Sequence, residues 1–140
     1  MPIINYRIDR IEGRRTDVEA KSVDVKSSFV ILSAKRDSSP TIGDFLRVNF
    51  SFEVKYEPDL GSMKIEGNLW YHEPDLDKLM TEKKGKIKLE PRVIKEVTSS
   101  IVRDSLLEMV ELSRKLRLPV PIRLPRLNIE PTKTEFKKAS

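Results

Sequence analysis

Phe45-Leu46-Arg47-Val48-Asn49-Phe50-Ser51-Phe52-Glu53-Val54-Lys55-Tyr56 places an apolar residue at every even position from 46 to 56. The odd-numbered positions between them, from 47 to 55, are polar or charged. Period-two alternation of this length is typical of a long strand with one covered face. Pro58 and Gly61 then supply a turn, and the alternation resumes at Met63, Ile65, Leu69 and Tyr71. The two runs predict an antiparallel hairpin.

Two further strands are predicted upstream of this hairpin. Ile4, Tyr6 and Ile8 alternate with polar residues, and residues 23–32 form an apolar-rich run that ends before a turn at residues 37–40. We therefore expect a four-stranded antiparallel meander over residues 1–72, with one apolar face.

A long helix is predicted over residues 91–116, with Pro91 as its first residue. Val93, Val97 and Ile101 share one side of this helix, whereas later apolar residues lie rotated around the axis. Either the helix kinks near Asp104 and Ser105, or it is covered on more than one side, which would indicate an oligomer. The oligomer interface predicted on this basis consists of Val97, Ile101, Leu106, Met109 and Val110. Residues 73–90 are expected to be a polar connector.

The segment after the helix is rich in proline, with Pro119, Pro121 and Pro125. Proline fixes φ and lacks a backbone donor, so residues 117–131 should form a stiff, extended strap. Its aliphatic side chains recur at every second position and must cover either the protein's own core or a partner: Leu118, Val120, Ile122 and Leu124. A polar tail, residues 132–140, follows.

Composition narrows the function. The 140 residues suit one α+β domain, 1–140, and carry a net charge of +5 from 27 basic and 22 acidic residues. No run of about 18 apolar residues predicts a membrane span, and no secretory signal is visible, so we expect a cytoplasmic protein. Cysteine is absent, which excludes disulfides and thiolate sites.

Signals of catalysis are weak. His72 is the single histidine, and its spacing to Asp75 and Asp77 matches no known metal-binding motif. There is no serine elbow and no phosphate-binding loop. We therefore expect no enzyme activity, no metal and no cofactor.

Two features leave alternatives open. Basic residues at Lys83–Lys88 and Arg114–Arg126 permit a nucleic-acid-binding module, although Phe50, Phe52 and Tyr56 lie on the apolar phase, where core packing explains them better than base stacking. Trp70 lies on the polar phase of its strand. It is either a partner contact or packed beneath a loop.

The order of these elements resembles the SecB family of protein-export chaperones. The local similarity lies in Leu89-Glu90-Pro91-Arg92, which leads into the helix, and in Leu118-Pro119-Val120-Pro121-Ile122-Arg123-Leu124-Pro125-Arg126-Leu127-Asn128. The resemblance implies a tetramer built as a dimer of dimers, with the helices between the sheets. It also implies grooves that hold extended, unfolded segments of client proteins. The long helix and the positive net charge depart from the family pattern and suggest a divergent, archaeal-type member.

The leading hypothesis is an ATP-independent holdase for unfolded or precursor proteins, linked to protein export. Its client-binding residues would be Leu118, Val120, Ile122, Leu124 and Leu127 of the strap, together with Trp70. Besides the nucleic-acid-binding module, the alternative is an interaction protein of SecB-like fold without an export role.

Overall fold

Four long strands and one long helix make up most of the protein. The computed structural model describes residues 3–19, 22–121 and 135–138. In chain order the elements are β1 (Ile3–Arg15), β2 (Asp24–Ser39), β3 (Gly43–Glu57), β4 (Gly61–Tyr71), α1 (Leu76–Leu79), β5 (Met80–Lys83), β6 (Lys86–Leu89), α2 (Pro91–Leu116) and β7 (Glu135–Lys137). The predicted α+β architecture, a four-stranded antiparallel sheet followed by a long helix packed on it, is confirmed.

The alternation in residues 45–56 becomes the centre of the sheet. β3 lies between β4 and β2 in a sheet of order β1-β4-β3-β2. Its even-numbered residues from Leu46 to Tyr56 are at most 1% exposed. They pair with Tyr71, Leu69, Gly67, Ile65, Met63 and Gly61 of β4. Together these residues form a covered face, and the odd-numbered residues of β3 define the outer face.

The predicted meander is wrong in one respect, because β1 pairs with β4 and not with β2. The connection over residues 16–23 is too long for a tight turn, and the Thr16 amide donates to the Leu60 carbonyl oxygen at 2.9 Å. Two glycines of β4 leave the space in which the backbone of β1 lies. A Cβ atom at Gly61 or Gly67 would overlap the carbonyl oxygen of Arg14 or Arg7. The position of β1 beside β4 therefore depends on the lack of a side chain at these two glycines. The alternation in the sequence does not show which strand packs against them.

A bulge in β1 turns Tyr6 onto the covered face. The register shifts between Ile4 and Arg7, and Asn5 within the shift has a left-handed φ of 56°, which asparagine tolerates better than most residues. The Tyr6 ring stacks on Phe50 with centroids 5.4 Å apart, and its hydroxyl lies 2.9 Å from Ser105 Oγ. Burial is the main cause that raises the pKa of Tyr6, so this hydroxyl stays protonated at neutral pH.

Helix α2 crosses the covered face along β1 and β4. Near its start, Tyr71 Oη donates to Glu96 Oε2 at 2.7 Å, and burial followed by this bond raises the pKa of Tyr71. Near its end, a Cβ atom at Gly13 would stand 2.5 Å from Leu116 Cδ1. The helix ends at Arg117, which is left-handed and donates its amide to the carbonyl oxygens of Arg114 and Ser113.

The rotation of the apolar residues along α2 comes from a wide buried arc and not from a break. The helix continues through Asp104 and Ser105. Ile94, Thr98 and Val102 are buried on one flank, beside the row that faces the sheet. The kink that the sequence left open is therefore not needed to explain the pattern.

The segment 73–90, expected to be a connector, contains α1 and a small hairpin of β5 and β6. Lys84 and Gly85 close the hairpin with φ values of 49° and 77°, the left-handed pair that a two-residue type I′ turn requires. β7, from the expected tail, pairs with β6 and completes a three-stranded sheet. Ile87 and Phe136 of this sheet are buried in the core, and a bridge between Lys138 and Ala34 links its end to β2.

Candidate functional site

The chain leaves α2 through the exit segment, residues 117–121, which is fixed across one end of the sheet. Leu118 is 5% exposed and packs on Gly61, where an added Cβ would stand 3.1 Å from Leu118 Cδ1. Tyr56 Oη donates to the Pro119 carbonyl oxygen at 2.6 Å. Since Gly61 belongs to β4 and Tyr56 to β3, the segment contacts the two central strands of the sheet.

Burial raises the pKa of Tyr56 to about 12. The phenol therefore remains protonated, and able to donate to Pro119, through the neutral range. A hydrogen bond of this kind stabilises by about 1 kcal/mol. It holds the first part of the proline-rich strap against the sheet.

The predicted strap residues have different environments. Leu118 belongs to the core of the protein, whereas Val120 is half-buried and keeps part of its surface accessible. Ile122, Leu124 and Leu127 lie outside the described residues. Among the strap side chains that the structure describes, Val120 is thus the better candidate for contact with another molecule.

Trp70, the remaining predicted contact, lies half-buried on the outer face of the sheet. Its ring stacks on Phe45 with centroids 4.1 Å apart, and the Arg47 guanidinium lies 5.9 Å from the ring centre. Arg47 also forms an ion pair with Asp37 at 3.4 Å. Much of the Trp70 surface is therefore already used within the chain.

β2 carries exposed apolar side chains on both faces. Val25 pairs with Tyr56 and Phe29 with Phe52, so both lie on the covered face, where Val25 is still 36% exposed and Phe29 half-buried. Val30 pairs with Ser51 and lies on the outer face, whereas Leu32 lies in a register shift between Ile31 and Ser33; the two side chains are 52% and 47% exposed. Because β2 is an edge strand, these side chains flank a strand edge that faces away from β3.

Open space adjoins the first half of β2. A hollow of about 610 Å³ is lined partly by Asp24, Tyr56 and Glu57, and a second of about 590 Å³ is lined partly by Val25 and Ser28. We call Val25, Phe29, Val30 and Leu32 the β2 surface. The signal for it was present in the sequence, because the unbroken run Phe29-Val30-Ile31-Leu32 cannot place all its apolar side chains on one face of a strand.

The predicted oligomer residues divide between the core and the surface. Val97, Ile101 and Met109 are fully buried within the single chain, so their side chains have no surface left for a partner. Leu106 and Val110 are half-buried. Leu107, which was not among the predicted interface residues, is 67% exposed beside them.

The two basic clusters lie at opposite ends of α2. The Lys83–Lys88 hairpin precedes the start of the helix, where the Glu90 amide donates to the Leu79 carbonyl oxygen at 2.9 Å. Arg114, Lys115 and Arg117 lie at its other end, and Arg123 and Arg126 are outside the described residues. A helix of 26 residues is about 39 Å long, so the described members of the two clusters lie far apart.

His72 has a structural partner, since its Nδ1 lies 2.9 Å from the Asp44 carbonyl oxygen. Over residues 3–19, 22–121 and 135–138, no group of three or more histidine or acidic side chains is arranged to hold a metal ion. No helix in this part of the chain is long and apolar enough to cross a membrane.

Comparison with known proteins shows the fold. No family model matches the sequence, and no curated protein matches it. Among solved structures, the SecB-like chaperone Rv1957 of Mycobacterium tuberculosis, in complex with a ChAD peptide from the HigA1 antitoxin Rv1956, matches with a TM-score of 0.53 and 14% identity over 89% of this chain and 88% of that one. The chain therefore has a SecB-like fold. The match gives no support to the archaeal type expected from the sequence.

Proposed function

We propose that this protein is an ATP-independent chaperone that holds extended, unfolded segments of other proteins, including precursor proteins, on the β2 surface. The observation that carries the proposal is an edge strand with exposed apolar side chains on both faces. Natural proteins usually protect such edges with charge, proline or a covering element, because an open edge invites pairing with another chain. Val30 and Leu32 give β2 apolar side chains in place of such protection, and both are about half exposed.

An open strand edge explains how the protein could hold segments that differ in sequence. An extended segment that adds to a sheet is bound mainly through its backbone, which is the same in every protein. Apolar side chains on either side of β2 then add affinity for apolar segments. Full burial of a valine or leucine side chain contributes about 1.5–3 kcal/mol, so Val30 and Leu32, each half exposed already, would add about 2 kcal/mol together.

The likeness to the SecB-like chaperone of Mycobacterium tuberculosis supports the same function. That protein was solved with a peptide bound, so a fold of this type can bind a peptide. The exit segment is consistent with this use, because Val120 lies on a backbone stiffened by Pro119 and Pro121 and therefore loses little conformational entropy on binding.

We also propose that the protein acts as a homo-oligomer, a dimer of dimers joined through the outward flank of α2. Leu106, Leu107 and Val110 are adjacent on that flank, and Leu107 is the most exposed large apolar side chain in the described part of the chain. Burying this cluster against a second copy would remove its apolar surface from water.

The test is suppression of aggregation of a chemically denatured model protein on dilution, without ATP, with the solution mass measured on the same sample. We expect suppression near one oligomer per client and a mass that is a multiple of 16.2 kDa, four-fold for the dimer of dimers. Undiminished aggregation at a several-fold molar excess would refute the chaperone proposal. Full suppression by a 16.2 kDa monomer would refute the oligomer alone.

A further inference from the structure

The β5–β6 hairpin presents a dense group of lysines that the proposed chaperone function does not use. Lys83, Lys84, Lys86 and Lys88 are all exposed and line a hollow of about 270 Å³ together with Thr81 and Glu135. Lys83 pairs directly with Lys86, and Thr81 with Lys88. Because Ile87 points into the core, Lys86 and Lys88 point outward. We call these four lysines the lysine face.

The lysine face is not explained by internal electrostatics. Within residues 3–19, 22–121 and 135–138, none of its four ammonium groups takes part in the ion pairs that the structure forms. Glu82 of the same hairpin is engaged by Lys138 at 2.9 Å instead. Glu135 is opposite Lys88 in register and is the one carboxylate among the described residues that line the hollow, so in this part of the chain four positive charges face one negative charge.

Stability and edge protection do not account for the arrangement either. Like charges directly opposite each other in a sheet are destabilising, and Lys83 and Lys86 form such a pair. Lysine on an edge strand can prevent unwanted pairing, which would explain Lys83 on β5. It would not explain Lys86 and Lys88, since β6 is the central strand of the small sheet.

We propose that the lysine face binds an extended acidic peptide segment of another protein, in which acidic residues alternate along the chain. Residues that share a face of a strand are about 7 Å apart, so Lys86 and Lys88 have the spacing of carboxylates at every second position of an extended segment. A segment placed beside the edge strand β5 would bring such carboxylates next to Lys83. Opposite charges at these positions stabilise a sheet instead of destabilising it.

A peptide fits this surface better than a nucleic acid does. Single strands are bound largely by stacking of bases on aromatic rings, and the described residues that line the hollow include no aromatic side chain. Lysine provides point charges without the planar fork with which arginine grips phosphate. The lysine face is also confined to one short hairpin, which limits the number of phosphates it can contact along a duplex.

The test is fluorescence anisotropy of a labelled eight-residue peptide that alternates glutamate and threonine, titrated with the 140-residue chain at low salt. A peptide of the same composition with its four glutamates in one block tests the spacing, and a thymidine octanucleotide tests the nucleic-acid alternative. One variant carries Lys83→Gln, Lys86→Gln and Lys88→Gln. The matched control loses three exposed charges elsewhere, with Lys95→Gln, Arg114→Gln and Lys115→Gln.

We expect the lysine-face variant to bind the alternating peptide about ten-fold more weakly than the unmodified protein, because three exposed ion pairs are lost. The control should change the affinity less than about two-fold, and the block peptide should bind more weakly than the alternating one. Equal losses in the two variants, no binding of the alternating peptide, or tighter binding of the octanucleotide through the same lysines would each overturn the proposal. Because no unfolded client is used, these outcomes are independent of the chaperone proposal.

Discussion

Replacing Val30 and Leu32 of β2 with aspartate is expected to weaken the binding of an unfolded polypeptide by about 30-fold or more. The two side chains are 52% and 47% exposed, and the loss of their remaining burial removes about 2 kcal/mol of binding free energy. Each aspartate adds the cost of removing a carboxylate from water when the segment docks. The measurement is the dissociation constant for a fluorescently labelled, permanently unfolded polypeptide, with aggregation suppression as the second readout.

The matched control replaces Ile11 and Val18 with aspartate. These residues are 45% and 40% exposed, so the control makes the same change in charge and removes a similar apolar surface outside β2. We expect its affinity to stay within about three-fold of the unmodified protein, since solvent-exposed sites outside a contact contribute little. Equal weakening in both double variants, or no weakening in the β2 variant, would contradict the placement of the site on β2.

Substituting Gly67 with alanine is expected to lower the free energy of unfolding by about 2–3 kcal/mol. The new Cβ would overlap the Arg7 carbonyl oxygen of β1 and stand 3.1 Å from Phe50 Cζ. The oxygen is part of the backbone of a paired strand, so β1 itself must move away from β4. Urea denaturation of the variant and the unmodified protein, with equal slopes, measures the difference.

Gly13→Ala is the control for this prediction. Its Cβ would stand 2.5 Å from Leu116 Cδ1, the end of a flexible side chain that can rotate away. Leu112 Cδ2 would be 3.2 Å away. We expect a loss below about 1 kcal/mol, because only the ends of these two leucine side chains have to readjust, and no backbone has to move. If Gly67→Ala unfolds at the same urea concentration as the unmodified protein, β1 does not lie against β4 as described.

Much of this fold could be predicted because its elements are long and strongly patterned. The alternation from Leu46 to Tyr56 has a single physical solution, a strand with one covered face, and Pro91 followed by helical spacing marks the start of α2. The pairing of β1 with β4 could not be predicted in this way, since it depends on the space above Gly61 and Gly67. The hairpin at Lys84 and Gly85 was missed because its strands are only four residues long, too short for a periodic signal.

The candidate site was predicted only in part. The structure describes only residues 117–121 of the predicted proline-rich strap, and Leu118 among them belongs to the core. The sequence could not show that β2 lies at the edge of the sheet, since that follows from the strand order. The run from Phe29 to Leu32 therefore indicated a strand with two apolar faces, but not a surface open to a partner. The sequence also could not show that Trp70 stacks on Phe45, because this contact joins two neighbouring strands.

Amide hydrogen exchange, measured with and without a saturating unfolded polypeptide, tests the central claim most directly. If an extended segment adds to the open edge of β2, amides within residues 24–32 that point away from β3 gain a backbone acceptor, and their exchange should slow at least about ten-fold. Amides of β1, on the opposite edge of the sheet, should exchange at unchanged rates. Saturated binding that leaves the exchange of residues 24–32 unchanged would contradict the account.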